Sequence, residues 1–178
     1  MRTQPDRMVF PTDLGWMALV AKGGLVSGLS FGHSTPQAAV VAVADAQSAS
    51  ETEFDFVPEE WASLVERLQR YAAGGFDDFL DVELLSRRQT HFQRRVIERC
   101  RRIPFASTVT YGELGEQAGY ARAARAVGNC MRTNHVPLIV PCHRVVGAGG
   151  SMRGYSAGEG IRMKLRLLEM EAACTALA

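Results

Sequence analysis

The residues best equipped for chemistry lie together in Val136-Pro137-Leu138-Ile139-Val140-Pro141-Cys142-His143-Arg144-Val145-Val146. A thiol, an imidazole and a guanidinium follow one another inside an aliphatic, β-branched run. Such a run reads as a strand bound for a core, where ionisable groups are costly to bury without partners. An isolated cysteine is most often a small buried hydrophobe. With Pro141, His143 and Arg144 packed around it, Cys142 reads instead as a nucleophile. The thiolate is the reactive form, and neighbouring cations lower a cysteine pKa from its free value near about 8.5.

The rest of the chain must position that segment and bring something to it. The 178 residues carry a net charge of +1, which conceals an asymmetry. Residues 1–85 hold 5 Lys/Arg against 13 Asp/Glu, a net of −8, whereas residues 86–178 hold 15 against 6, a net of +9. A basic second half suits a polyanion, and nucleic acid is the commonest one. Cys100, Cys130, Cys142 and Cys174 all lie in that half with no CxxC spacing. Neither a disulfide framework nor a zinc site is indicated, so no metal and no cofactor is expected. A reactive unpaired thiol fits a reducing, cytoplasmic setting. Nothing near Met1 resembles a signal peptide, and no apolar run approaches a membrane span.

The first third reads as strands. A short extended piece spans 8–11, and Lys22-Gly23-Gly24 is a hairpin turn between strands at 16–21 and 25–31. Ser34 or Thr35 caps a helix from Pro36 to about Ala46, and 48–55 is a polar loop. A second helix opens at Pro58 and ends at Gly74-Gly75, with Trp61, Leu64, Val65, Leu68 and Tyr71 at helical spacing. These aromatics read as core. Residues 81–84 read as an edge strand. In the second half, Phe92, Val96, Ile97 and Cys100 mark the inner face of a helix whose outer face shows Arg94, Arg95, Arg99, Arg101 and Arg102. Thr110-Tyr111-Gly112-Glu113 is a capping box opening a helix to about Ala118. A turn at Gly119-Tyr120-Ala121 leads to a helix over 122–132, together a helix-turn-helix. Flexible loops at 147–151 and 154–158 precede a last helix over about 159–172.

From Phe92 to Glu169 the chain closely resembles the catalytic domain of the methylated-DNA–protein-cysteine methyltransferases, the alkylguanine-DNA alkyltransferases. The resemblance rests on Phe92-Gln93, Thr110-Tyr111-Gly112-Glu113-Leu114, Ala123-Ala124-Arg125-Ala126-Val127-Gly128, Asn134, Pro141-Cys142-His143-Arg144-Val145-Val146, Gly154-Tyr155-Ser156 and Glu169, in order and at the family's distances. It implies an α+β protein: an N-terminal α/β, ribonuclease-H-like domain over 1–86, then a mainly helical alkyltransferase domain with a helix-turn-helix over 87–178. The implied chemistry is direct-reversal DNA repair by a stand-alone, single-use enzyme, moving an alkyl group from the 6-oxygen of guanine, less so the 4-oxygen of thymine, onto Cys142.

The same resemblance implies the residue roles. Cys142 is nucleophile and permanent acceptor, His143 takes its proton through a water, and Glu169 orients His143. Without the family pattern, Glu169 reads as a surface helix charge. Tyr111 donates to the guanine ring, and Arg125 fills the space left by the flipped base. Ala123 and Ala124 allow close approach to the duplex, in the minor groove. Asn134 ties the recognition helix to the active segment. Ser156 bonds the substrate oxygen, and the carbonyls of Cys142 and Val145 receive the guanine 2-amino group. Arg144 reads as structural. The partner is double-stranded DNA bearing alkylated guanine, bound by a monomer away from any membrane. Where many relatives have Gly-Gly after the Tyr-x position, this chain has Ala157-Gly158, a methyl that narrows the pocket. Two rival readings fit less well: a non-catalytic lesion-binding protein, which lacks the cysteine found here at 142, and a cysteine hydrolase, which leaves the basic helix-turn-helix unexplained.

Overall fold

The Gly23-Gly24 turn forms as its sequence requires. Both glycines have positive φ (59° and 80°), the backbone of a type I′ hairpin. In the computed structural model, which describes residues 6–43, 57–85, 88–152, 155 and 157–176, this hairpin joins β2 (Trp16–Lys22) to β3 (Leu25–His33). With β1 (Asp6–Phe10) they make an antiparallel sheet in the order β1-β2-β3. Nearly all of β2 is buried, because both faces of the sheet are covered. Val9 and Ala18 pack on Ala39 of α1 (Pro36–Val43), whose first turn is capped by Thr35. Met8, Phe10, Met17, Leu19 and Phe31 face the main core with Trp61, Leu64 and Leu68 of α2 (Glu59–Ala72). The expected edge strand at 81–84 reduces to one parallel bridge, Leu84 with Val26. The expected loop at 48–55 and the final turn of the helix drawn to Ala46 lie outside the described residues.

The second half is built of helices, as its periodicity predicts. Thr90 and Gln93 close a capping box on α3 (His91–Arg101), so the glutamine of the Phe92-Gln93 pair acts locally as a cap. The arginine face of α3 is divided. Arg94, Arg99 and Arg102 are exposed, whereas Arg101 donates to the carbonyls of Phe79, Leu80 and Val82, stitching α3 to the first half. Thr110 and Glu113 form the second capping box, on α4 (Tyr111–Gln117). Then α5 (Ala124–Arg132) starts two residues later than periodicity suggested, because Arg122 adopts a left-handed φ of 60° that no helix can contain. The last helix, α6, spans Ile161–Ala176.

One expectation fails in an informative way. The run around Cys142 is no continuous strand. Pro137 and Pro141 lack the N–H that a ladder needs. Leu138 turns the chain at φ 73°, Pro137 and Val140 make one isolated bridge, Cys142–Arg144 form a 3-10 turn, and β5 (Val145–Val146) pairs in parallel with β4 (Val109–Thr110). A single hydrophobic cluster runs from Met8 through Tyr71 and Val96 to Leu167, so both halves share one core around this turn. The halves also meet at Gly32 in β3. Its φ is +83°, and a Cβ there would lie 3.0 Å from the backbone of Gly158 and 3.0 Å from Met163 of α6.

Candidate active site

The 3-10 turn buries all three of its polar side chains: Cys142, His143 and Arg144. They stay buried because α6 brings a carboxylate to meet them. Glu171, fully buried, accepts from His143 Nε2 at 2.9 Å, from Arg144 Nη2 at 2.8 Å and from Arg144 Nε at 3.1 Å. The backbone N–H of Ala106 donates to its other oxygen at 2.9 Å. The hydroxyl of Tyr71, on α2, donates to Oε1 as well, and lies 3.2 Å from His143 Nε2. Arg144 also donates to the Ile103 carbonyl at 2.8 Å, and its guanidinium lies 5.5 Å from the Phe105 ring centre. Its place is structural, as the sequence suggested.

The expectation for Glu169 is therefore corrected. Glu169 is exposed, and the carboxylate that reaches His143 is Glu171. Two residues on an α-helix stand about 200° apart at 3.6 residues per turn, so these glutamates occupy opposite faces. Lys164, Leu167 and Glu171 recur at helical spacing and share the inward face. That stripe is the sequence signal by which Glu171 could have been found.

Burial penalises the charge on Glu171, but hydrogen bonds and charge from His143 and Arg144 outweigh it and hold the carboxyl near about 2. It is ionised, so Nε2 of His143 carries the proton it donates. Burial also holds His143 below its ordinary value, against the pull of Glu171 and with the help of Arg144 and Lys164. The imidazole is therefore neutral, and its Nδ1 is a free base, with no hydrogen-bond partner among the described residues. This matches the task of a general base, which must receive a proton.

Cys142 departs from its sequence reading. Burial pushes its thiol up, and the donors around it only partly compensate. Asn134 Nδ2 donates to Sγ at 3.1 Å, and the charge of Lys164 and backbone donors act in the same lowering sense. At rest the sulfur is a thiol. Asn134, half-buried beyond the end of α5, also donates to the Val140 carbonyl at 2.9 Å and accepts from Val136 N at 3.1 Å, fixing both sides of the bend at Leu138. Lys164, fully buried, escaped sequence analysis. Its Nζ donates to the Val145 carbonyl and lies 5.8 Å from the Tyr111 ring centre. One lone pair of the carbonyl assigned to the guanine 2-amino group is thus already engaged.

The other expected residues that the structure describes lie on α4 and α5. Tyr111 is half-buried at the first position of α4. Ala123 is the N-cap of α5, with Ala124 and Arg125 exposed in its first turn. Gly128 faces Tyr111, with 4.0 Å from a built Cβ to the ring. Ser156 lies outside the described residues.

The buried histidine makes stability depend on pH. As pH falls below 6.5, the ordinary histidine value, the unfolded chain binds a proton that folded His143 refuses, so stability is lost. Glu171 acts in the same sense lower down: its contribution, complete above 4.5, disappears as pH falls through about 2. Half-buried His33 adds to the upper range. Urea unfolding should therefore show stability declining from about pH 6.5 downward. His143→Gln should flatten part of that decline, and equal slopes for both proteins would contradict a buried neutral His143.

The chain is similar to known proteins of one family. Residues 91–173 match the family described as 6-O-methylguanine DNA methyltransferase, DNA binding domain. A methylated-DNA–protein-cysteine methyltransferase of Mycobacterium tuberculosis is 46% identical over 114 residues, which covers 64% of this chain and 67% of that protein. The one from Methanosarcina acetivorans is 38% identical over 125 residues, covering 66% and 78%. The crystal structure of Mycobacterium tuberculosis OGT in complex with DNA superposes with a TM-score of 0.70 at 34% identity, over 94% of this chain and 93% of that one. With Cys142, His143 and Glu171 brought together on this fold, the chain belongs to the methylated-DNA–protein-cysteine methyltransferases, DNA-repair enzymes that act by alkyl transfer.

Proposed function

We propose that the protein moves one alkyl group, typically methyl, from the 6-oxygen of guanine in double-stranded DNA onto Cys142, irreversibly, with the 4-oxygen of thymine as a poorer donor. The observation that carries this reading is the Asn134 contact to the sulfur beside the His143–Glu171 pair. Asn134 donates to Sγ, and His143, next in sequence, is neutral, with Nε2–H tied to Glu171 and Nδ1 buried without a hydrogen-bond partner among the described residues. In the step, Sγ attacks the alkyl carbon. The S–C bond forms as the C–O bond breaks, and the electron pair stays on the guanine oxygen. The thiol proton goes to His143 Nδ1 through a water, Tyr111 gives a proton to the ring side of the guanine, and the imidazolium returns its proton by way of water to Tyr111, so that the thiol proton ends in effect on the guanine. The imidazolium formed in passing is balanced by Glu171, the nucleophile, base and orienter logic of a triad. A thioether offers water no good leaving group, so each molecule works once. A lesion-binding protein without chemistry has no use for this thiol and its base.

A base inside a duplex is out of reach of a protein sulfur, so the guanine must leave the stack. Arg125, exposed in the first turn of α5, enters the space it leaves, while Ala123, Ala124 and Gly128 let the helix lie close in the minor groove. Ser156 bonds the substrate oxygen. The net charge of +9 in residues 86–178 supports attraction to phosphates without sequence preference, as damage in any sequence requires. In this reading the protein is a cytoplasmic monomer, with residues 1–86 and 87–178 as its two domains. Among the described residues no helix is long and apolar enough to cross a membrane.

Incubation with methylated-guanine duplex, followed by peptide mass spectrometry, should find one methyl per protein molecule, on Cys142. Cys142→Ala should abolish transfer and keep DNA binding, whereas repeated turnover would exclude the single-use reaction. A second measurement tests flipping. Arg125→Ala should slow duplex repair by about tenfold or more, the scale of a few kcal/mol of unstacking cost, while largely sparing reaction with free alkylated guanine. Equal losses in both reactions would make Arg125 a structural residue.

A further inference from the structure

The machinery so far comes from the second half of the chain, yet one buried polar atom of the first half points into it. Tyr71 stands in the last turn of α2 with no exposure to solvent. Its ring packs among Phe79 and Phe105, at centroid distances of 5.6 and 6.1 Å. Apolar packing alone would be served as well by phenylalanine. The hydroxyl instead donates to Glu171 Oε1, the same oxygen that receives His143 Nε2–H, and sits 3.2 Å from that nitrogen. A buried hydroxyl with two polar partners on the catalytic network is not an incidental core atom.

We propose that Tyr71 is a positioning residue for alkyl transfer: its hydroxyl shares Glu171 with His143 and thereby sets both the orientation and the basicity of the imidazole that serves Cys142. The inference rests on the alkyl-transfer reading and deepens it, because it gives the N-terminal half a group in the site. The groups facing this cluster are His143, Arg144 and Cys142 from the 3-10 turn, Glu171 and Lys164 from α6, and Tyr155 from the segment before α6. Among them Tyr71 is a neutral donor. Burial and the Glu171 charge push its pKa well above the ordinary tyrosine value, so it stays a phenol throughout the working range. A neutral donor on Glu171 draws negative charge away from the Nε2–H contact. Without it the carboxylate pulls harder on that proton, and Nδ1 becomes more basic.

The test uses the full-length protein and two rates read against pH: methyl transfer from a methylated-guanine duplex, and alkylation of Cys142 by iodoacetamide, both followed by mass spectrometry. For Tyr71→Phe the acid limb of each profile should move upward by about half a unit, the size of one lost hydrogen-bond effect on a neighbouring group. The limiting transfer rate should fall about tenfold with DNA affinity unchanged. Phe79→Leu, which disturbs the same packing and leaves the hydroxyl, should keep the wild-type limb. Should Tyr71→Phe fail to fold, 3-fluorotyrosine placed at position 71, a stronger donor of nearly the same shape, should move the limb downward. Limbs that stay in place, move the other way, or move equally in Phe79→Leu would overturn the proposal. If the wild-type protein transfers no methyl and the iodoacetamide limb still shifts, the DNA reading fails while the role of Tyr71 stands.

Discussion

The structure turns on one buried carboxylate. Taking Glu171 out of water costs several kcal/mol, and the cost is met only if every lone pair finds a donor. It does: the guanidinium of Arg144, the imidazole of His143, the phenol of Tyr71 and the amide of Ala106 converge on its two oxygens. Those donors come from the 3-10 turn, from α2 and from the segment that follows α3. A single anion therefore fixes the mutual placement of four pieces of chain. Removing one partner would leave a buried charge uncompensated, typically a loss of 3–5 kcal/mol.

The same anion decides the chemistry. Because Glu171 stays ionised, His143 keeps its proton on Nε2 and presents Nδ1 as a base. Because His143 is buried, it waits neutral, able to accept. Burial also keeps Cys142 protonated at rest, with Asn134 and Lys164 ready to favour the thiolate once it forms. A protein that uses its thiol once, as proposed, gains from this arrangement. A permanent thiolate would be exposed to loss by stray oxidants and alkylating agents, whereas a thiol with a base beside it is activated when the reaction calls for it.

Much of this was legible in the residues. The Gly23-Gly24 hairpin, the Thr110–Glu113 capping box and the helix-turn-helix follow from local backbone rules, which tertiary context left in force. What escaped depended on contacts distant in sequence. Tyr71 and Glu171 are 100 residues apart, and periodicity along α2 marks Tyr71 as inward-facing without saying what its hydroxyl meets. The resemblance pointed to Glu169, whereas the inward face of α6, marked by the Lys164–Leu167–Glu171 stripe, carries Glu171. The strand expected around Cys142 was broken by two prolines that the aliphatic pattern outweighed on paper. The low thiol pKa inferred from adjacent cations was reversed by burial, which no neighbour in the sequence reveals.

The most direct test of the account compares the two glutamates of α6. Single-turnover methyl transfer from a methylated-guanine duplex should be timed for the wild-type protein, Glu169→Gln and Glu171→Gln, each at saturating DNA and corrected for the folded fraction. Glu169→Gln should transfer at the wild-type rate, since its side chain faces solvent. Glu171→Gln should be slower by about a hundredfold or more, the usual contribution of a correctly oriented general base. A Glu171→Gln protein that is folded and fast, or a Glu169→Gln protein that is as slow, would contradict the central place given to this carboxylate.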